Sequence, residues 1–246
     1  MGPVGRELEK RFKGGEVGRS LESSLRGPSV SLIAEIKRAS PSRGPISVNL
    51  DPVTQASSYE RGGAAAISVL TERDRFGGSN EDLEAVVAAS GLPVLRKDFH
   101  VAAVQLYEAR SLGASAALVI ARAVSPARFM LLVQTAQQID LEVLAEVRDL
   151  RELELALEAG CRIIGVNNRN LETLEIEPRT AETIIPRIPG DRIAVAESGY
   201  STAESIHAAA AAGADAVLIG SFLSASADPA SAVRELTNVA RVPRAR

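Results

Sequence analysis

Eight short apolar runs recur along the chain, at 31–37 (SLIAEIK), 64–70 (AAAISVL), 93–99 (PVLRKDF), 116–121 (AALVIA), 142–147 (EVLAEV), 162–168 (RIIGVNN), 192–198 (RIAVAES) and 215–221 (DAVLIGS). Their apolar character is nearly continuous instead of alternating, as in strands covered on both faces. Between them lie VTQASSYERGG, EDLEAVVAASG, VQLYEARSLG, ARFMLLVQTAQQ, LRELELALEAG, PRTAETIIPRI and AESIHAAAAAG, where apolar residues return after three and four positions as in helices. PASAVRELTNVAR supplies an eighth helix. From Lys37 to Gly220 seven steps average about 26 residues, the length of one strand, one helix and a right-handed return.

A second period overlies the first. GGAAAISVL, LGASAALVI, AGCRIIGVN and AGADAVLIG recur about every 50 residues, so Gly63, Gly113, Gly160 and Gly213 read as helix C-terminal caps that turn the chain into every second strand. Eight such units predict the α/β class and a single (β/α)8 barrel, and 246 residues match the roughly 250 typical of that fold. One domain is expected over 1–246, with a short N-terminal helical extension at 1–30 ahead of the barrel at 31–240. LEKRF and VGRSLESSL in that extension are partly helical in pattern and are expected to cap the barrel or border its mouth. An open, doubly wound sheet is the alternative use of βα units, but its edge strands should look less apolar than these runs do.

Composition narrows the function. Apolar residues make up 46% and aromatics only 3%, which suits layers of small and branched side chains between strands and helices. A net charge of −3 argues against a nucleic-acid partner, which needs a basic excess. The single cysteine, Cys161, cannot form an intrachain disulfide, and a reducing, cytoplasmic setting is the simplest expectation. No apolar run approaches the roughly 18 residues of a membrane span, and the N-terminus lacks an apolar export core. His100 and His207 are the only histidines, without a Cys or carboxylate cluster at ligand spacing, and His207 is expected on a helix surface. With no nucleophile elbow, GxGxxG or P-loop either, neither a metal nor a nucleotide cofactor is implied.

In a barrel the C-terminal ends of the strands carry the chemistry, and here those ends turn abruptly from apolar to charged. AEIKRASPSRG places Glu35, Lys37, Arg38 and Ser40 after the first strand, with Glu35 two residues before Lys37 and so on the same face. Lys97, Glu146, Asn167 with Arg169, and Glu197 end four further runs. Several ionisable groups converging on one cavity are too costly to bury unless they pair or act. AESG and IGSFLS, at the ends of the seventh and eighth strands, place Ser198, Gly199, Gly220 and Ser221 where barrels bind phosphate through backbone N–H groups. The two glycines permit close backbone approach and the serines add hydroxyl donors. The expected partner is a small phosphorylated molecule, bound by a monomer or weak homo-oligomer.

Taken in order, AEIKRASPSRG, AAAISVLTE with the following FGGS, LRKDF, LAEV, IGVNNRNLETLEI, AESG and GADAVLIGS resemble the indole-3-glycerol-phosphate synthases of tryptophan biosynthesis, from about residue 30 to 230. The resemblance implies a lyase that converts 1-(2-carboxyphenylamino)-1-deoxyribulose 5-phosphate to indole-3-glycerol phosphate, carbon dioxide and water. It implies Lys97 as the general acid of ring closure with Glu146 as its partner, and Glu35 with Lys37 assisting dehydration. Asn167, Arg169, Glu197 and Ser198 would line the pocket, Gly199, Gly220 and Ser221 would hold the phosphate with Lys37, and Ser40, Pro41 and Phe99 would meet the rest of the substrate. A Lys kept near other cations would approach a useful pKa for this task. HVAAVQ after LRKDF lacks the family's usual Asp-Pro-Tyr, and Arg43 stands where Lys is frequent. Two rivals remain: a phosphoribosylanthranilate isomerase-like barrel, for which Cys161 lies at the wrong end of a strand, and a catalytically silent phosphate-binding barrel, which would more readily have lost Lys97, Glu146 or Glu35.

Overall fold

A computed structural model describes residues 19–244. Eight parallel strands, β1 (Ser31–Ile36), β2 (Ala66–Leu70), β3 (Val94–Lys97), β4 (Ala116–Ile120), β5 (Glu142–Val147), β6 (Ile163–Asn167), β7 (Ile193–Glu197) and β8 (Ala216–Ile219), close into a barrel in which β8 pairs back onto β1. Closure leaves these eight strands without a free edge, which removes the open-sheet alternative. Each strand falls within its predicted run and stops one or two residues earlier where the run ends in polar residues. Among the described residues no helix is long and apolar enough to cross a membrane.

The helices start where side chains can satisfy their free N–H groups. Asp51, Ser125, Asp149, Thr202 and Asp228 each cap a first turn, with proline immediately after Asp51, Ser125 and Asp228. The repeat glycines end their helices as expected: Gly63, Gly113, Gly160 and Gly213 have φ of 95°, 84°, 77° and 93°. The eighth helix is shorter than its pattern, Pro229–Leu236, because Val239 and Arg241 pair instead with the segment before β1, through Val30 N to Val239 O and Arg241 N to Pro28 O.

Strand residues alternate between two cores. Leu32, Ala34, Ile67, Val69, Ile164 and Val217 face the surrounding helices, while Ile33, Ala66, Leu95, Leu144, Ile193 and Leu218 fill the barrel. Leu21 and Leu25 join the interior cluster from the helix Leu21–Ser24, whose Ser20 Oγ and Glu22 N bond the carboxylate of Glu142 at the start of β5. The described part of the N-terminal extension therefore closes the end of the barrel opposite the mouth, whereas LEKRF lies outside the described residues.

The same end is tied by a buried carboxylate. Asp215, 1% exposed, accepts from Ala194 N at 2.7 Å and pairs with both Arg241 and Arg244 of the C-terminal segment. Removing one member of a buried set strands the charges of the others. Asp215→Ala should therefore lower the free energy of unfolding by about 3–5 kcal/mol in chemical denaturation, and a loss below about 1 kcal/mol would show that the clasp contributes little.

Candidate active site

At the C-terminal ends of the strands the barrel opens into a cavity of about 600 Å³. Glu35, Lys37, Ser40, Pro41, Lys97, Phe99, Glu146, Asn167, Arg169, Glu197, Ser198, Gly199, Gly220 and Ser221 all line it. They come together because each follows or ends an inward-facing strand position: Glu35 continues Ile33, Lys97 continues Leu95, Glu146 continues Leu144 and Glu197 continues Val195. Leu70, Leu118, Ile120 and Leu218 provide apolar wall between the charges.

Three carboxylates and two ammonium groups share the floor. Lys37 Nζ lies 2.8 Å from Glu35 Oε1, and Lys97 Nζ stands between Glu197 at 3.6 Å and Glu146 at 3.8 Å. Burial works against the charge of Lys97, but Glu197, Glu146 and Glu35 outweigh it and raise its pKa. The neighbours of Lys97 are thus carboxylates and not the cations expected from sequence, and the amine is held firmly protonated. Burial likewise pushes against Glu35, but Lys37 and Lys97 hold its carboxyl below the ordinary range. Glu197 goes the other way: burial, reinforced by Glu146 and Glu35 against the pull of Lys97, raises it to about 8. Its Oε1 has no hydrogen-bond partner, and it occupies the slot left by Gly165 on β6, where a Cβ would collide with that oxygen.

The turn after β7 carries two successive left-handed residues, Ser198 (φ 67°) and Gly199 (φ 91°). A serine in that region is strained by about 1–2 kcal/mol, and Asn168 compensates by donating from Nδ2 to Ser198 O and Tyr200 Oη, both at 3.1 Å. Asn168 is 2% exposed and also accepts from Ala181 N. Its role was not apparent from sequence, because NNRN offers two adjacent asparagines and only the strand register separates Asn167, which faces the cavity, from Asn168, which faces the helices. Gly220 also serves the ion pair beside it. A side chain there would run into Glu35 Oε1 and Lys37 Nζ, so the missing Cβ makes room for that ion pair before it makes room for any anion.

Arg38 does not join the cavity. It turns to Asp82 and Gly77 O, and residues 39–45 after it form a small two-stranded hairpin, Ala39–Ser40 with Gly44–Pro45, that the apolar pattern did not announce. Arg169 is held by its Nη1 on Leu174 O at 2.6 Å, while its backbone N donates to Asn167 Oδ1 at 2.9 Å. Arg43 lines the mouth as well. Phe99 is partly exposed at the rim, its ring centroid 6.5 Å from that of Phe76. Behind Lys97 the buried Arg96 points to the helix side and gathers Thr71, Asp98, Glu108 and the Gln105 carbonyl, which fixes the backbone on either side of the lysine.

Comparison with known proteins agrees with this architecture. The family model described as indole-3-glycerol phosphate synthase matches residues 4–236. The indole-3-glycerol phosphate synthase of Streptomyces griseus subsp. griseus is 48% identical over 207 residues, covering 84% of this chain and 77% of that protein. Indole-3-glycerol phosphate synthase 1 of Streptomyces coelicolor is 47% identical over 214 residues, covering 87% and 80%. Among solved structures, thiamine phosphate pyrophosphorylase from Pyrococcus furiosus superposes with a TM-score of 0.64 at 15% identity, covering 88% of this chain and 96% of that one, a likeness of fold alone.

The raised Glu197 carboxyl has a measurable consequence. Between about pH 4.5 and 8 the folded protein keeps a proton there that the unfolded chain releases, so this group's contribution to stability declines as pH rises through that window. His100, lowered to about 4 chiefly by burial, acts oppositely between its ordinary 6.5 and 4 and is common to both proteins compared. The stability of wild type relative to Glu197→Gln should therefore fall from pH 5 to pH 8 in denaturant titrations. Parallel stability profiles would contradict the assignment of the neutral acid to Glu197.

Proposed function

The chain belongs to the indole-3-glycerol phosphate synthase family, and from that membership we propose that its strand-end cluster closes the indole ring of 1-(2-carboxyphenylamino)-1-deoxyribulose 5-phosphate and releases carbon dioxide and water. The observation that carries this reading is Lys97, an ammonium set between Glu146 and Glu197 in a cavity of about 600 Å³ that the Ser198–Gly199 turn also lines. That volume suits a substrate of this size.

Ring closure joins the carboxylate-bearing aromatic carbon to the ribulose ketone. The carbonyl π pair moves to oxygen, and Lys97 delivers the proton that oxygen takes up. An ammonium with a raised pKa is a poor acid toward a neutral ketone but a good donor to the alkoxide that develops, which confines its effect to the transition state. Glu146 and Glu197 hold the ammonium in place, and Glu146 is the partner through which it regains a proton. Departure of carbon dioxide returns its bonding pair to the ring and restores aromaticity. In the last step the nitrogen lone pair expels the hydroxyl, Lys37 protonates it as it leaves, and Glu35, an ionised carboxylate 2.8 Å from Lys37, takes the proton from the neighbouring methylene carbon. The phosphate lies against the backbone at Ser198, Gly199, Gly220 and Ser221, with Lys37 beside it. Ser40, Pro41 and Phe99 border the aromatic end, and Asn167 and Arg169 orient the sugar hydroxyls.

Product formation is followed by indole fluorescence on incubation with the ribulose phosphate, and no fluorescence gain with pure substrate would overturn the reading. Within it, Lys97→Met keeps the apolar stem and removes the proton. In single-turnover experiments ring closure should slow by roughly 10²- to 10⁴-fold, the usual worth of a positioned general acid. Lys37→Met should instead accumulate a ring-closed, undehydrated intermediate. Wild-type ring closure in Lys97→Met would transfer the acid role to Lys37.

A further inference from the structure

The end of β1 is built differently from the other strand ends. β8 pairs with β1 only as far as Ala34 opposite Ile219, and then leaves the barrel through Gly220 into the short helix Ser221–Ser224. The Glu35 carbonyl and the Lys37 amide, just beyond that point, face the side that β8 has left. The side chain of Ser224 stands in for it. Its hydroxyl donates to Glu35 O at 3.1 Å and accepts from Lys37 N at 3.3 Å, the carbonyl and the amide that a continuing β8 would have engaged. Tyr59 Oη gives Glu35 O a second donor at 3.1 Å, and Gln55 Nε2 bridges Tyr59 Oη and Leu223 O, at 2.9 and 3.3 Å. Ser224 is 4% exposed and its own N–H bonds Gly220 O, so the helix turn, the hydroxyl and the β1 end form one buried unit.

We propose that Ser224 is a positioning residue for the Glu35–Lys37 pair, an unpaired strand end that its hydroxyl holds in register. The proposal rests on the reading that this pair serves the dehydration step. Two backbone contacts from one hydroxyl set the origins of two side chains that must meet at 2.8 Å. Loss of the hydroxyl leaves the half-buried Lys37 amide without its acceptor, and the β1 end relaxes toward other partners. The same turn contributes through absence at Gly220, where the space a Cβ would occupy belongs to the Glu35 and Lys37 side chains. Backbone anchoring at Ser224 and side-chain clearance at Gly220 therefore act together on one ion pair from a single four-residue helix and its cap.

The test measures kcat and KM for the carboxyphenylamino-deoxyribulose phosphate in Ser224→Ala, in Glu35→Gln and in the double variant, with circular dichroism to verify folding. Ser224→Ala should lower kcat about 10-fold, as expected for a misplacement of reacting groups, with KM changed less than about twofold. In the Glu35→Gln background the same change should cost little further, because a residue that acts through the pair has nothing left to position. Should Ser224→Ala fail to fold, Tyr59→Phe removes the other donor to Glu35 O and is measured in the same way. Wild-type kcat in the folded variant, or an equal fractional loss in both backgrounds, would overturn the proposal. Wild-type turnover in Glu35→Gln would instead overturn the role of the pair itself.

Discussion

Everything at the mouth of this barrel depends on how five ionisable groups share one low-dielectric space. Glu35, Glu146 and Glu197 face Lys37 and Lys97, and ionising all five would leave an excess negative charge inside the protein. The arrangement resolves this through Glu197, whose pKa burial lifts to about 8, so that the remaining carboxylates and ammonium groups balance. The balance keeps Lys97 charged and Glu35 ionised at the same time, the two protonation states that the acid and base roles proposed for them require. Arg43 and Arg169 at the mouth add positive charge beside the same space.

Holding such a set requires the groups around it to be as well placed as the set itself. Gly165 and Gly220 are the positions where any side chain would displace Glu197 or the Glu35–Lys37 pair. Asn168 holds the left-handed turn at Ser198, Ser224 the end of β1, and Arg96 the backbone on both sides of Lys97. These residues lie behind the cavity, on the helix side of the strands or on the helices. They trade a buried polar group for a fixed backbone, and the trade is favourable only because each polar atom they use finds a partner.

The two ends of the barrel divide the work. At the far end Leu21 and Leu25 plug the interior, Glu142 ties down the N-terminal helix, and Asp215 clasps the C-terminal segment. Nothing there needs to move for a ligand to enter, so stability can be concentrated away from the strained turns and crowded charges of the mouth.

The (β/α)8 barrel could be read directly from the chain, because eight continuous apolar runs separated by helical periods allow few other ways to bury every strand on both faces, and because each repeat glycine marks a left-handed turn that local sequence alone dictates. The alternation along each strand also picked out Glu35, Lys37, Lys97, Glu146 and Glu197 as residues sharing a cavity. Other features depended on neighbours distant in sequence. Arg38 leaves the cavity because Asp82 awaits it on a helix, Asn168 and Ser224 matter because of which strand ends they reach, and the hairpin at 39–45 has no apolar pattern to betray it. Charge state was hidden for the same reason. A lysine at the end of an apolar run is the same letter whether cations or carboxylates surround it, and only closure of the barrel brought Glu35, Glu146 and Glu197 around Lys97, since the electrostatic energy of a buried group is set by what lies within a few ångströms in space and not by what precedes it along the chain.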